Sequence, residues 1–150
     1  MKSLKLLALE SLITKGVIIV MSKTRTIEQI YYVYHVPQLL QLHLLRVAAV
    51  ARLIADNWDG PALDRQKLDR VLLLHDIGNI VKIDLNAPGS LSVHEDLQQY
   101  LADQQQYQQR FGQDDHLASR EIAREIGLTS DELDFMDAKI FVKNEVVLHR

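Results

Sequence analysis

Apolar residues recur at spacings of three and four along most of the chain, which is typical of amphipathic helices. The longest such stretch, residues 38–58, predicts a single helix that follows a proline-containing turn. The stripe predicted to face the core of the protein consists of His43, Val47, Val50 and Ile54. This pattern places the imidazole of His43 on the buried side of the longest helix.

A second helix is predicted over residues 64–76, with Asp64 as its N-terminal cap. The side chains that share its apolar face are Leu68, Val71, Leu72 and His75. Gly78 is well placed to end this helix in a left-handed conformation.

Three capping-box patterns, at residues 26–29, 92–95 and 129–132, predict the starts of further helices. Another helix is predicted over residues 114–126, closed by Gly127, whereas residues 80–87 are compatible with an extended segment. The sequence contains no repeat and no convincing pair of strands. The predicted fold class is therefore all-α, a bundle of about six helices.

The first 25 residues are predicted to form an N-terminal extension or helix, and residues 26–150 a single domain. Glu10 and Lys15 interrupt the apolar runs near the N-terminus, so this segment resembles neither a signal peptide nor a membrane span. Both Met1 and Met21 remain candidates for the biological start.

The amino-acid composition limits the classes of binding partner that we expect. The 150 residues are 47% hydrophobic, enough for one core, and the formal net charge is −3. Because no dense lysine and arginine cluster is present, we expect neither a nucleic-acid nor a membrane partner, and a small phosphorylated ligand stays open. The chain has no cysteine, which excludes disulfides and thiolate metal sites and favours the cytoplasm. The oligomeric state stays open.

His75 and Asp76 stand side by side at the end of an apolar run. An imidazole nitrogen and a carboxylate oxygen there suit a divalent metal, and His43 offers a third ligand. The competing interpretation is that the histidines are hydrogen-bonded core residues and that Asp76 accepts hydrogen bonds at a helix end. Burial of a carboxylate among apolar residues favours the metal.

The motif H-x-x-R-V-A at His43, followed by L-L-H-D-I-G at His75 and Asp76, resembles the HD-domain superfamily of metal-dependent phosphohydrolases over about residues 34–128. The resemblance implies an HD-type helical bundle that binds a divalent ion: Mn, Fe, Co, Ni, Zn or Mg. It also implies hydrolysis of a nucleotide or other small phosphorylated metabolite by a metal-activated water. Two alternatives are an inactive HD domain that binds nucleotides and a structural helical interaction module.

Further roles follow from the same resemblance. His116 matches a family position close to a second ion or to the substrate phosphate, which makes it a catalytic candidate together with Asp76; the alternative is a surface histidine. Arg46, one turn from His43, is a candidate phosphate ligand or the partner of an acidic residue. Asn79 stands where relatives frequently carry lysine, and Lys82 is the predicted substitute as a substrate-binding cation.

HD domains complete their metal site with an aspartate on a late helix. Asp137 is the best match in this chain, but the match is loose. Residues 146–150 show no helix stop signal, which predicts that the domain is incomplete at its C-terminus and that the fourth ligand lies beyond residue 150. Both assignments of the fourth ligand stay open.

Overall fold

The computed structural model describes residues 25–138, and among them it contains helices and no β-strand. The helices are α1 (Ile27–Val33), α2 (Gln38–Asp56), α3 (Arg65–Leu72), a 3-10 helix (Ile77–Val81), α4 (Leu97–Phe111) and α5 (Asp115–Ile126), and residues 130–138 are helical as α6. The predicted all-α bundle is confirmed. Predictions about residues 1–24 and 139–150 lie outside the described residues.

Most of the predicted helix starts are confirmed by their side-chain caps. The Thr26 hydroxyl accepts the Gln29 N–H, while the Gln29 amide oxygen accepts the Thr26 N–H at 3.0 Å. Asp64 caps α3, and Glu132 accepts the Thr129 N–H at 2.8 Å before α6. These caps satisfy backbone N–H groups that a helix leaves unpaired at its first turn.

The prediction that a capping box at Ser92 begins a helix is wrong. Asp96 caps α4 instead. The Glu95 carboxylate accepts the N–H groups of Ser92 at 2.7 Å and Gln38 at 2.8 Å, and the hydroxyl of Tyr100 at 2.9 Å. Burial alone would raise the pKa of Glu95, but these donors hold it below its usual value. Glu95 thus connects the loop before α4 to the first residue of α2.

The long helix α2 buries a different face from the one predicted. Its buried side chains are Leu40, Leu44, Ala48 and Ala55, whereas Val50 is 56% and Ile54 is 60% exposed. The helix itself carries apolar residues on several sides, so the helical period of 3.6 residues is compatible with more than one buried face. Packing of α2 against α3 selects the face.

The opposite side of α2 carries several exposed apolar side chains: Leu39, Leu42, Leu45, Val50, Leu53 and Ile54. By length and composition, α2 also qualifies as a membrane span, a test that core helices pass as well.

The predicted continuation of α3 to Asp76 is also corrected, because α3 ends at Leu72. Successive hydrogen bonds from Leu74 N–H to the Val71 carbonyl and from Ile77 N–H to the Leu74 carbonyl, both 3.1 Å, lead into the 3-10 helix. His75 therefore lies on a turn between two helices.

Gly78 does not adopt the predicted left-handed conformation. It lies where the 3-10 helix crosses α5, and a Cβ there would lie 2.7 Å from the Ala118 Cβ and closer still to the Ser119 backbone nitrogen. The Gly78 N–H donates to the buried Ser119 hydroxyl at 2.9 Å. Glycine is required here because the two backbones approach closely.

Candidate metal centre

His75 is held by the turn that follows α3. Its side chain is buried, with the residue 5% exposed, and its Nδ1 lies 2.7 Å from the carbonyl oxygen of Leu72. A carbonyl only accepts hydrogen bonds, so Nδ1 carries the hydrogen and donates it. In the neutral tautomer that donates from Nδ1, the lone pair is on Nε2. A metal-binding histidine commonly has its other ring nitrogen fixed in this way.

The turn that carries His75 is itself supported from α1. The hydroxyl of Tyr31, a buried residue of α1, donates to the carbonyl oxygen of Leu73 at 2.8 Å. Two consecutive carbonyl groups at the end of α3, those of Leu72 and Leu73, are therefore satisfied by side chains. This arrangement fixes the direction in which the His75 ring projects.

Three side chains converge on one point. Nε2 of His75 lies 3.0 Å from Oδ2 of Asp76, and Nε2 of His43 lies 3.3 Å from the same oxygen. One ligand atom from each residue lies within 4.8 Å of the others. The contact between Nε2 of His75 and the carboxylate brings two acceptor atoms together, which is favourable only with a proton or a metal ion between them.

The two separations at the Asp76 carboxylate fit a first-row divalent ion. Two donors that each lie about 2.1 Å from an ion are about 3.0–3.4 Å apart when the angle between them is about 90–110°. The 3.0 Å and 3.3 Å separations at Asp76 fall in that range. Two imidazole nitrogens and one carboxylate oxygen suit Mn, Fe, Co, Ni or Zn.

The site opens to solvent on the side of α2. The side chain of His43 is 50% exposed and that of Asp76 is 23% exposed, whereas that of His75 is 3% exposed. The prediction that His43 points into the core was therefore wrong in detail, because this residue lies at the border of the exposed face of α2. A ligand from solvent can approach the three donors from this side.

Arg46 follows His43 by one helical turn and is exposed. Among residues 25–138, its guanidinium makes no hydrogen bond or ion pair. The alternative that an acidic residue of the described part pairs with it is not observed. Within the described part of the chain, this cation is therefore open to a ligand that reaches the exposed side of α2.

The other predicted substrate-binding residues lie around the start of α5. Lys82 makes an ion pair of 2.6 Å with Asp115, which is buried. His116 is half-buried in the first turn of α5, and its backbone N–H donates to Asp114. Donation by the Leu117 and His116 N–H groups holds the pKa of Asp114 below its usual value. His116 does not belong to the three-residue group.

Asp137 is not brought to the three donors either. Its carboxylate makes an ion pair with Arg120 of α5. The described residues therefore gather three of the four predicted ligands, His43, His75 and Asp76. The prediction of a ligand beyond residue 150 stays a prediction.

The supports of the site were not found from the sequence. Gln104 of α4 donates to the carbonyl oxygens of Ile80 at 2.7 Å and Ile83 at 2.8 Å, and Ser119 accepts from Gly78. They fasten the 3-10 helix that directly follows His75 and Asp76. A glutamine and a serine on helices carry no local signal for such contacts, which form between residues distant in sequence.

No curated protein and no solved structure is detectably similar to the chain. A sequence model of the HD domain matches residues 41–144, which is more than half of the chain and includes all three converging donors. The match agrees with the helical fold and with the His43, His75 and Asp76 group. The chain belongs to the HD domain family.

Proposed function

We propose that this protein is a metal-dependent phosphohydrolase that acts on a nucleotide or another small phosphorylated metabolite. One observation carries the proposal: Nε2 of His75, whose tautomer is fixed by the Leu72 carbonyl, faces the carboxylate of Asp76 beside Nε2 of His43. HD domains bind divalent metals, and this donor set suits such an ion.

In this proposal His43, His75 and Asp76 hold the ion. A divalent ion bound there lowers the pKa of a water molecule and stabilises negative charge on phosphoryl oxygens. The hydrogen bond to Leu72 keeps the lone pair of His75 directed at the ion and prevents rotation of the ring.

Arg46 supplies the positive charge that binds the phosphate. It lies one turn beyond His43 on the exposed side of α2, and it makes no ion pair within residues 25–138. A guanidinium binds two phosphate oxygens at once, so it orients the substrate as well as attracting it.

Lys82 and His116 have supporting roles in the proposal. The ion pair with Asp115 holds the Lys82 ammonium at the start of α5, beside His116. We propose that these two side chains contact substrate oxygens and that His116 supplies a proton to the leaving group.

The main alternative is an HD domain that binds a nucleotide without hydrolysing it. The observation that favours it is the grouping of three donors rather than four among the described residues, with Asp137 paired to Arg120. In that case the same cations would bind phosphate, but turnover would be absent.

The test is release of inorganic phosphate from a panel of nucleotides and sugar phosphates by the purified chain, with Mn²⁺, Co²⁺, Ni²⁺, Zn²⁺ or Mg²⁺ supplied in turn. We expect turnover that chelation abolishes, a loss of at least about 100-fold in His75→Ala, and a raised KM in Arg46→Ala. Tight binding of a nucleotide with no phosphate release would establish the alternative. Neither binding nor release, with metal bound, would refute both.

A further inference from the structure

The side-chain carbonyl of Asn79 is buried without a partner. Within residues 25–138 no group donates a hydrogen bond to its Oδ1. A buried acceptor that has lost water and gained no donor is costly, and such groups are uncommon in folded proteins. Its neighbour Gln104 differs, since that amide makes two hydrogen bonds to backbone carbonyls. A bound cation or hydrogen-bond donor would remove the energetic cost of this unsatisfied oxygen.

The backbone places Asn79 one 3-10 turn after Asp76. The Asn79 N–H donates to the Asp76 carbonyl oxygen at 2.9 Å, which closes this turn at the start of the 3-10 helix. Asn79 therefore lies one turn beyond Asp76, the residue whose carboxylate His43 and His75 approach.

An asparagine carbonyl is a neutral oxygen ligand, of the kind that hard divalent ions accept. We infer that Oδ1 of Asn79 is a further oxygen donor to the ion held by His43, His75 and Asp76. The inference rests on the metal centre of the proposed function. It accounts for an oxygen that is buried without a donor one turn after Asp76, because a cation satisfies it as a hydrogen bond would.

The additional oxygen has a consequence for metal preference. Manganese accepts oxygen ligands more readily than zinc does, and zinc prefers nitrogen and sulfur ligands. Removal of the Asn79 carbonyl therefore weakens Mn²⁺ binding more than Zn²⁺ binding. A carbonyl with only a structural role would affect the two ions equally.

The experiment compares three proteins: the full chain, Asn79→Leu and Gln104→Leu. The melting temperature is measured without metal, and Mn²⁺ and Zn²⁺ affinities are measured by calorimetric titration. Leucine has nearly the shape of asparagine and removes the unsatisfied oxygen. We expect Asn79→Leu to keep or raise the metal-free melting temperature and to lower Mn²⁺ affinity about 10–100-fold. Gln104→Leu removes a contact with only a structural role, so it should lower the melting temperature and weaken Mn²⁺ and Zn²⁺ binding by the same factor.

A second variant gives an independent readout. Asn79→Asp places a charged oxygen at the same position, so Mn²⁺ affinity should rise while the metal-free melting temperature falls, since the carboxylate is buried without a partner. If Asn79→Leu binds Mn²⁺ as the unaltered chain does, the inference is wrong and the proposed function stands. If the unaltered chain binds neither ion, the metal centre itself is refuted, and the inference with it.

Discussion

Replacement of Gly78 by alanine tests how closely the 3-10 helix approaches α5. The added Cβ would lie 2.6 Å from the Ala118 carbonyl carbon and 2.7 Å from its Cβ, and closer still to the Ser119 nitrogen. Most of these atoms belong to backbone, so no side chain can rotate away. One of the two elements has to shift.

The magnitude follows from two effects. Overpacking by one carbon costs about 1–3 kcal/mol. The shift also weakens the 2.9 Å hydrogen bond from Gly78 to the buried Ser119 hydroxyl, and an unsatisfied buried N–H adds about 1–3 kcal/mol. We therefore expect Gly78→Ala to lower the free energy of unfolding by about 2–6 kcal/mol, a large part of the about 5–15 kcal/mol typical of a domain.

The assay is urea denaturation of the metal-free protein, followed by circular dichroism. The matched control is Gly89→Ala. Gly89 has φ of +80° and no atom within 4 Å of a built Cβ, so alanine there costs only the left-handed backbone conformation, about 1–2 kcal/mol. If Gly78→Ala lowers the free energy of unfolding no more than Gly89→Ala does, the conclusion that the two backbones cross closely at Gly78 is wrong.

Three further predictions address other parts of the structure. The pKa of Glu95 is lowered in the folded state, so the stabilisation that its carboxylate provides is present above the pKa of the unfolded state and is lost as pH falls through the pKa of the folded state. Glu95→Gln should therefore lower the free energy of unfolding, measured by urea denaturation, at pH 7. In acid the variant and the unaltered chain should have the same free energy of unfolding. Asp137→Asn should leave metal affinity unchanged and cost at most about 1 kcal/mol from its ion pair with Arg120, whereas a large loss of affinity in a metal titration would make Asp137 a ligand. Leu44→Ala should cost about 2–5 kcal/mol by thermal denaturation and Ile54→Ala, at a residue 60% exposed, about 0.5 kcal/mol or less; the reverse order would restore the sequence-based orientation of α2.

The sequence predicted the features that depend on local patterns. Caps such as Thr26 and Asp64 form between residues three apart, so their residue types are sufficient to indicate a helix start. The motif also indicates His43, His75 and Asp76, and the structure brings these three residues together.

The features that failed depend on tertiary contacts. The buried face of α2 was misassigned because apolar residues lie on both sides of that helix, and only its packing against α3 and the 3-10 helix distinguishes them. Gly78 was interpreted as a helix cap because a glycine after a helix usually is one, but here α5 requires it. The Ser92 pattern was misleading because Glu95 bonds to Gln38, more than fifty residues earlier.

The same distinction applies to the candidate site. The motif gave the three donors, but it gave no sign that the Leu72 carbonyl fixes the tautomer of His75 or that Gln104 fastens the 3-10 helix. Those contacts determine whether three suitable residue types become a site with fixed geometry. They are set by packing among α3, α4 and α5.

The central claim is that His43, His75 and Asp76 bind a divalent ion, and elemental analysis of the purified chain tests it most directly. The variants are His75→Ala and, as a control, His35→Ala, because His35 also contacts a carboxylate, Asp103 at 2.9 Å, but lies outside the group. We predict about one or two transition-metal ions per chain in the unaltered protein and in His35→Ala, and none in His75→Ala. Equal metal content in all three proteins, or none in any of them after metal is supplied, would contradict the claim.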